Sequence, residues 1–325
     1  MNRRKFLKVG GGAILIAAGA GLGPVLFRNR RVYGKTMPLM GTIGEIHVVH
    51  DDARKAYRAI DAAFEELTRI ERLLTFYNDT SEIGTINRFA FLREVTLSGE
   101  TGNLIERALH WSKSTDGYFE PGLGKITDLW DVKHRHEPPP KTQWARLADR
   151  SFYKKTLLSK SNSGYTVRFL AEDIKIDLGG IAKGYAADRA VAVLAEQGIS
   201  QALVNLGGDI ASLGGKSSSE GWRVGIKDPS NPSEIIKVLT LNNQSVATSG
   251  SYEQYFTSNG IIYHHLIDPK IGEPGHRRFE SMTVIGDNCR DTDALATALF
   301  LMEDRTARRV LEDNTDGFEL IRFPV

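Results

Sequence analysis

The chain has 325 residues, 41% of them hydrophobic, which suffices for one large domain or two small ones with an ordinary core. Its formal net charge of +2 argues against a nucleic-acid-binding surface. The single cysteine, Cys289, excludes an intramolecular disulfide and a thiolate cluster for zinc or iron–sulfur.

The N-terminus has the layout of an export signal. Arg3 and Arg4 are followed closely by Phe6, and an uncharged run covers 9–27. A basic start, an apolar run and small residues are typical of a signal peptide, and the Arg-Arg-x-Phe-Leu-Lys pattern resembles a twin-arginine signal. The run is also long enough for an uncleaved membrane anchor. We therefore expect 1–30 to be a twin-arginine-type signal peptide or anchor, and the protein to be periplasmic.

The N-terminal half of the remaining chain alternates helical periodicity with polar or glycine-rich loops. The predicted elements are a strand over 43–50, a helix over 53–74, a loop over 75–83, a helix over 99–114, a loop over 118–130, a short helix over 142–149 and a hairpin through 161–164.

The C-terminal half is richer in strands, and two of them end in glycine turns. Further elements follow in order: a strand over 174–177, a helix over 181–197, strands over 202–206, 222–226, 236–241, 244–248, 261–267 and 281–285, helices over 293–300 and 306–312, and a strand over 318–323. Strands in runs with short turns favour an α+β fold with antiparallel sheets. Neither glycine pair matches a dinucleotide fingerprint or a Walker loop.

One helix carries a candidate cation site. Asp293 and Thr297 are four positions apart, so they share a face of the predicted helix. A carboxylate and a hydroxyl on an otherwise apolar helix can hold a hard cation. The alternative is a polar seam on an amphipathic helix.

Three loops carry candidate catalytic or binding groups. Lys183 follows a glycine turn at the start of a predicted helix, where backbone N–H groups and the lysine charge can bind an anion. The alternative is a tight strand–helix turn with a solvated lysine. The segment 248–253 contains several hydroxyl side chains and one carboxylate. This composition suits a loop that binds sugar or phosphate oxygens, and an ordinary polar turn is the alternative. His265 lies near Asp268 at a strand end, where it is either a general base or a structural histidine.

Taken together and in this order, the motifs resemble those of the ApbE family, the FAD:protein FMN transferases, over nearly the whole chain from Met40 to Met302. The motifs are Met40-Gly-Thr42, Ser81-Glu-Ile83 with Asn87, Asp177-Leu-Gly-Gly-Ile-Ala-Lys-Gly-Tyr-Ala-Ala-Asp188, Asn205-Leu-Gly-Gly-Asp209, Ala247-Thr-Ser-Gly-Ser-Tyr-Glu253, His265-Leu-Ile-Asp-Pro269 and Asp293-Ala-Leu-Ala-Thr297.

The resemblance implies an α+β fold of the tetrahydrobiopterin-synthase-like (T-fold-like) kind in one domain over 31–325. It implies that FAD and Mg²⁺ bind, and that FMN moves onto a threonine hydroxyl of a target flavoprotein with release of AMP. By the same resemblance, the Asp293 carboxylate, the Thr297 hydroxyl and the Ala182 carbonyl hold the Mg²⁺. His265 is implied as the base, with Asp268 supporting it.

The resemblance also implies the residues that surround the FAD. These are Met40, Ser81, Asn87, Tyr118, Gly180, Lys183, Asp188, Thr248, Ser249, Gly250 and Glu253. The chain departs from the family pattern in the Tyr118 loop, where Glu120 replaces the usual Asp and Lys125 is a candidate phosphate or partner contact.

Two other functions remain open at this level. The same site could serve a Mg²⁺-dependent FAD pyrophosphatase, in which water attacks in place of threonine. A non-catalytic FAD carrier or assembly factor for a periplasmic redox enzyme would also bind FAD. The expected partners are FAD, a periplasmic or membrane flavoprotein and the twin-arginine export machinery, and not a nucleic acid.

Overall fold

A computed structural model describes residues 31–149, 151–162, 164–217, 219–231, 233–275, 279–314 and 317–324. The predicted signal segment, 1–30, lies outside these described residues. Within them, none of the helices is both long enough and apolar enough to span a membrane.

The described strands are mostly short and joined by tight turns. They are β1 Arg31–Leu39, β2 Thr42–His50, β3 Val95–Leu97, β4 Thr156–Ser161, β5 Gly164–Phe169, β6 Ala202–Leu206, β7 Asp209–Leu213, β8 Trp222–Lys227, β9 Ile235–Leu241, β10 Ser245–Gly250, β11 Tyr255–Ser258, β12 Ile261–His264, β13 Ile267–Asp268, β14 Glu273–Pro274, β15 Phe279–Gly286 and β16 Glu319–Pro324.

The described helices range from one turn to six. They are α1 Ala53–Leu74, α2 Glu82–Phe89, α3 Gly99–Ser114, α4 Gly124–Trp130, α5 Lys141–Trp144, α6 Phe152–Lys155, α7 Ala182–Glu196, α8 Cys289–Leu301 and α9 Asp304–Asp313, with a 3-10 turn at Ala145–Leu147. Antiparallel sheets combined with helices confirm the α+β prediction.

One predicted strand is wrong. The segment 174–177 forms only an isolated parallel bridge between Lys175 and Leu123. The Asn87 amide accepts from the Ile176 N–H (2.6 Å) and donates to the Ile176 carbonyl (2.9 Å), so a side chain occupies the place of a neighbouring strand. The sequence analysis also did not predict the strands β1, β3, β7, β11 and β14 or the helices α2, α4 and α6.

The chain divides into two compact units. The first contains the described residues up to Ile70, Lys183–Thr248 and Thr283–Asp293. Its sheet runs in the order β1-β2-β6-β7-β10-β15, and the pairs from β1 to β10 are antiparallel.

Two neighbouring two-residue turns at one end of this sheet determine its register. Met40 and Gly41 join β1 to β2 with φ of 49° and 72°, and Gly207 and Gly208 join β6 to β7 with φ of 65° and 106°. Two-residue hairpins favour such left-handed backbone because its twist matches that of the strands. A Cβ on Gly207 would also lie 2.2 Å from Thr42 Oγ1, so only glycine fits there.

In the first unit, α7 begins against the start of α8. A Cβ on Gly184 would lie 2.2 Å from the Cys289 carbonyl oxygen, so the two backbones approach closely at this point. The inner face of α7 is formed by small or aliphatic buried residues: Ala186, Ala187, Ala190 and Leu194. This close packing positions the first turns of both helices.

The second unit contains Glu71–Ala182, Ser249–Met282 and the described residues from Ala294 onward. Its three-stranded antiparallel sheet has the order β3-β5-β4. The Tyr165 ring packs at Gly102 of α3, and its hydroxyl bonds to Asn103 (2.6 Å) and Glu106 (2.9 Å). A separate apolar cluster is made by Leu123, Ile126, Trp130, Val132, Trp144, Phe256 and Ile267.

Candidate functional site

Three charged side chains meet at the start of α7 in the first unit. The Lys183 ammonium forms an ion pair with Asp209 and lies 3.8 Å from Asp293 Oδ1. The other Asp293 oxygen accepts a hydrogen bond from the Gly184 N–H at 3.0 Å. Both carboxylates are buried, whereas the lysine side chain is 30% exposed.

This cluster contains more negative than positive charge. Burial raises the pKa of Asp293 to about 7, and the neighbouring Asp209 charge adds to this rise, whereas Lys183 and the Gly184 N–H oppose it. Burial likewise raises the pKa of Asp209, against the opposing effect of Lys183. Two buried carboxylates share one ammonium, so the carboxylate that Lys183 does not pair takes up either a proton or a cation.

Asp188 fixes the N-terminus of the helix that carries Asp293. Its carboxylate accepts hydrogen bonds from the N–H groups of Cys289 (2.8 Å) and Arg290 (2.9 Å), which are the first two of α8. Burial raises the pKa of Asp188 to about 6, and the two backbone hydrogen bonds oppose that rise. The predicted role of Asp188 in FAD binding stays a prediction, and its observed contacts are those of a helix cap.

In the second unit, Gly180, Ser249 and Thr297 come together. Thr297 Oγ1 lies 3.4 Å from Ser249 Oγ, and a Cβ on Gly180 would lie 3.1 Å from the same Thr297 oxygen. The absence of a side chain at Gly180 therefore keeps the space beside this hydroxyl open. Ala182 is the first residue of α7.

The predicted metal ligands suit Mg²⁺ by their chemistry. Asp293, Thr297 and Ala182 offer a carboxylate, a hydroxyl and a carbonyl, all of them hard oxygen donors, and Mg²⁺ takes few protein ligands and completes its shell with substrate oxygens and water. The described residues include no group of three or more His, Cys, Asp or Glu that could hold a metal. The predicted set has one carboxylate and does not depend on such a group.

His265 and Asp268 both lie in the second unit, beyond the end of β12. The His265 ring nitrogen Nδ1 is 3.3 Å from the Gln254 carbonyl, which also accepts from the His265 N–H at 3.0 Å. Asp268 Oδ1 accepts from the Lys270 N–H at 2.8 Å, and the Asp268 carbonyl accepts from the Gly272 N–H at 2.8 Å. Asp268 thus organises the turn after His265, and the catalytic roles stay predictions.

Glu120 fixes the Tyr118 loop through backbone hydrogen bonds. This buried carboxylate accepts hydrogen bonds from the N–H groups of Gly122 (3.1 Å) and Phe152 (2.9 Å). The Lys270 ammonium donates to the Asp116 carbonyl at 2.6 Å and lies 5.6 Å from the centre of the Tyr118 ring. Lys125, the candidate phosphate contact, donates to the Glu172 carbonyl at 2.9 Å.

Several other predicted FAD contacts have local structural partners. Ser81 caps α2 by accepting from the Gly84 N–H at 2.8 Å. Thr248 Oγ1 lies 2.8 Å from Thr283 Oγ1 in the first unit. A Cβ on Gly250 would meet the Tyr252 ring at 2.6 Å, and the pKa of the Tyr252 hydroxyl is raised by burial first and then by the Glu253 charge.

Sequence reasoning assigned no separate role to Asp209. The residue closes the Asn205-Leu-Gly-Gly-Asp209 motif, yet a carboxylate after a glycine turn is common in ordinary loops. Only the structure shows that the turn directs it to Lys183. Its position directly after two consecutive glycines is the one signal that the sequence offers.

Comparison with known proteins gives consistent matches. The ApbE family model matches residues 40–321. An FAD:protein FMN transferase of Treponema pallidum is 32% identical over 96% of this chain and 90% of its own length. A protein of the same name from Klebsiella pneumoniae is 34% identical over 84% of this chain and 83% of its own length.

Solved structures show the same fold. The ApbE protein of Thermotoga maritima superposes with a TM-score of 0.80 at 32% identity, covering 90% of this chain and 94% of its own. The flavinyl transferase ApbE of Pseudomonas stutzeri has a TM-score of 0.75 at 23% identity, covering 92% and 96% of the two chains. At that lower identity the likeness concerns the fold alone.

Proposed function

Because the chain belongs to the ApbE family, we propose that it is an FAD:protein FMN transferase, which moves FMN from FAD to a target protein. The single observation that carries this proposal is the cluster of Lys183, Asp209 and Asp293 at the start of α7. All three residues belong to the motifs that resemble the family's, and their charges suit a site for a cation and a diphosphate.

The finer proposal is that Asp293, Thr297 and the Ala182 carbonyl hold Mg²⁺. The ion would supply charge neutralisation at the diphosphate of FAD. Lys183 adds a second positive charge, and the dipole of the 15-residue helix α7 favours negative charge near its N-terminus. These groups of the chain position the diphosphate and stabilise the negative charge that moves toward the leaving AMP.

We assign the proton transfer to His265. A threonine hydroxyl is a weak nucleophile at neutral pH and needs a base within hydrogen-bond reach. In the proposed step, the threonine oxygen attacks the phosphorus of the FMN half, the bond to the bridging oxygen breaks, AMP leaves, and His265 takes the hydroxyl proton. Asp268 supports this role by holding the turn that follows His265.

The proposed setting is the periplasm, reached in folded form through the twin-arginine signal in 1–30. The acceptor is then a periplasmic or membrane flavoprotein that displays a threonine. This setting agrees with a chain that needs no disulfide, because its single cysteine, Cys289, is buried and free.

The deciding experiment mixes the purified protein with FAD, Mg²⁺ and an FMN-binding acceptor domain. We expect covalent flavin on the acceptor, detected by mass spectrometry and in-gel fluorescence, with one AMP released per flavin. FMN and AMP without labelled acceptor would instead identify an FAD pyrophosphatase. FAD that stays intact with every acceptor would identify a carrier. An acceptor whose threonine is replaced by valine controls for non-covalent binding.

A further inference from the structure

Asp209 occupies a rigid position. It is the first residue of β7, directly after the Gly207–Gly208 turn, and its side chain is 3% exposed. The turn is tied on both sides, because the Gly208 N–H donates to Asn205 Oδ1 at 2.9 Å and the Gly207 N–H donates to the Ile43 carbonyl at 3.1 Å. The carboxylate is therefore presented by fixed backbone and not by a flexible loop.

Asp209 and Asp293 share one lysine unequally. Lys183 forms its close ion pair with Asp209, whereas its ammonium stays 3.8 Å from Asp293 Oδ1, beyond hydrogen-bond length. Asp293 Oδ2 is engaged by the Gly184 N–H, so Oδ1 is the oxygen that faces the lysine. Lysine has a flexible four-carbon stem and would move to whichever carboxylate attracts it most.

We propose that Asp209 is a positioning residue that holds the Lys183 ammonium away from Asp293, so that Asp293 stays available to the metal ion. This inference rests on the proposed function, since it takes Asp293 as the Mg²⁺ ligand. Without Asp209, Lys183 would close on Asp293 Oδ1 and compete with the cation for that oxygen. With Asp209 in place, the same lysine keeps its charge at the site without neutralising the ligand.

The test measures metal binding by the full-length, FAD-free protein and needs no turnover. Mn²⁺ takes the same oxygen ligands as Mg²⁺ and loses its free EPR signal when it binds. We expect Asp209→Asn to weaken Mn²⁺ binding by roughly tenfold or more, equivalent to about 1.4 kcal/mol. Competition by Mg²⁺ in the same assay checks that both ions use one site.

A double-mutant cycle distinguishes positioning of Lys183 by Asp209 from a direct effect of the Asp209 charge on the metal ion. In the Lys183→Met background, Asp209→Asn should change Mn²⁺ affinity by less than about twofold, because no lysine remains to be held. Equal losses from Asp209→Asn with and without Lys183 would overturn the proposal, since Asp209 would then act through its own charge. Circular dichroism and thermal unfolding verify that each variant is folded.

Two further variants distinguish the possible failures. If wild type and Asp293→Ala bind Mn²⁺ equally, the metal site itself is absent and the proposed function fails with it. If Asp293→Ala abolishes binding but Asp209→Asn leaves it unchanged, only the positioning role is refuted. Should Asp209→Asn not fold, Lys183→Arg tests the same contact, because the longer guanidinium reaches Asp293 while paired with Asp209. Weaker Mn²⁺ binding supports the proposal, and unchanged binding refutes it.

Discussion

At the scale of single residues, most of the candidate site is built from side chains whose structural and chemical roles overlap. Asp188 caps α8, and Asn87 replaces a strand neighbour for Ile176. The Asp293 carboxylate accepts a hydrogen bond from the Gly184 N–H and lies beside the Lys183 ammonium. Substitutions at such positions change folding and function together, so the informative variants are those whose two effects can be measured separately.

His265 is one such position. We expect His265→Ala to retain FAD affinity within about threefold while transfer falls by roughly 10²–10⁴, the usual contribution of a general base. FAD affinity is measured by fluorescence titration and transfer by acceptor labelling. His134→Ala is the matched control, because His134 is an exposed histidine of the same unit paired with Asp131. Unchanged transfer in His265→Ala would remove His265 from the mechanism.

Glu120 should make stability depend on pH. Burial raises the pKa of its carboxyl from 4.5 to about 7, so the folded state binds this proton more tightly than the unfolded state does. The resulting stabilisation is complete below about pH 4.5 and is lost as the pH rises through about 7, a change of about 3 kcal/mol. Glu120→Gln cannot titrate and should lack this part of the pH dependence.

Urea unfolding of wild type and Glu120→Gln at several values between pH 5 and 8 tests this expectation. The stability of the variant relative to wild type should rise with pH across that range. Glu172→Gln, which changes an exposed carboxylate of the same unit, is the control. A pH-independent difference between Glu120→Gln and wild type would contradict the prediction.

At the scale of elements, glycines allow close approach between segments around the site. Gly180 leaves space beside Thr297, Gly207 clears Thr42, and Gly184 lets α7 meet the first residue of α8. At each of these three glycines, an added Cβ would lie 3.1 Å or less from an atom of the neighbouring residue, closer than ordinary van der Waals contact. These residues constrain backbones and supply no chemistry of their own.

Gly184→Ala should therefore destabilise the protein. Alanine normally stabilises a helix by up to about 1 kcal/mol over glycine, but here its Cβ would overlap the Cys289 carbonyl, and overpacking costs about 1–3 kcal/mol. Gly99→Ala is the matched control, since Gly99 opens α3 with nothing within 4 Å of the added Cβ. Chemical denaturation should show a loss for Gly184→Ala and none for Gly99→Ala. If Gly184→Ala were as stable as wild type, α7 and α8 would be able to move apart without loss of folding free energy.

At the scale of the whole molecule, the proposed function includes delivery of the folded chain to the periplasm. The proposed route uses the Arg3–Arg4 pair, which the export receptor reads as an address independently of the folded domain. The double change Arg3→Lys, Arg4→Lys should leave purified enzyme fully active in acceptor labelling. In cells it should move that activity from the periplasmic to the cytoplasmic fraction.

The matched control changes Arg28→Lys and Arg30→Lys, which lie outside the twin-arginine pattern but alter the same residue type. Cell fractionation followed by acceptor labelling measures both pairs. Periplasmic activity that persists in the Arg3, Arg4 variant, or that is lost equally in the control, would exclude the twin-arginine route.

The sequence by itself determined the fold class, the long helices and the identity of the motifs. Helical periodicity over 53–74 matches α1 to the residue, and 99–114 matches α3, because these segments satisfy their own backbone hydrogen bonds and bury one apolar stripe. The order of the glycine, histidine and Asp293–Thr297 motifs sufficed to indicate the family, which the comparisons confirm.

Tertiary structure alone decided which distant groups meet. The strand predicted at 174–177 is not one, because Asn87, far away in sequence, takes the backbone groups of Ile176. Asp209 meets Lys183 only because a hairpin turn of the sheet lies beside the first turn of α7. Local propensity and periodicity describe segments within a few residues, whereas a buried charge is placed by contacts between segments. The charge balance around Asp293, on which the proposed metal site depends, is therefore a property of the fold.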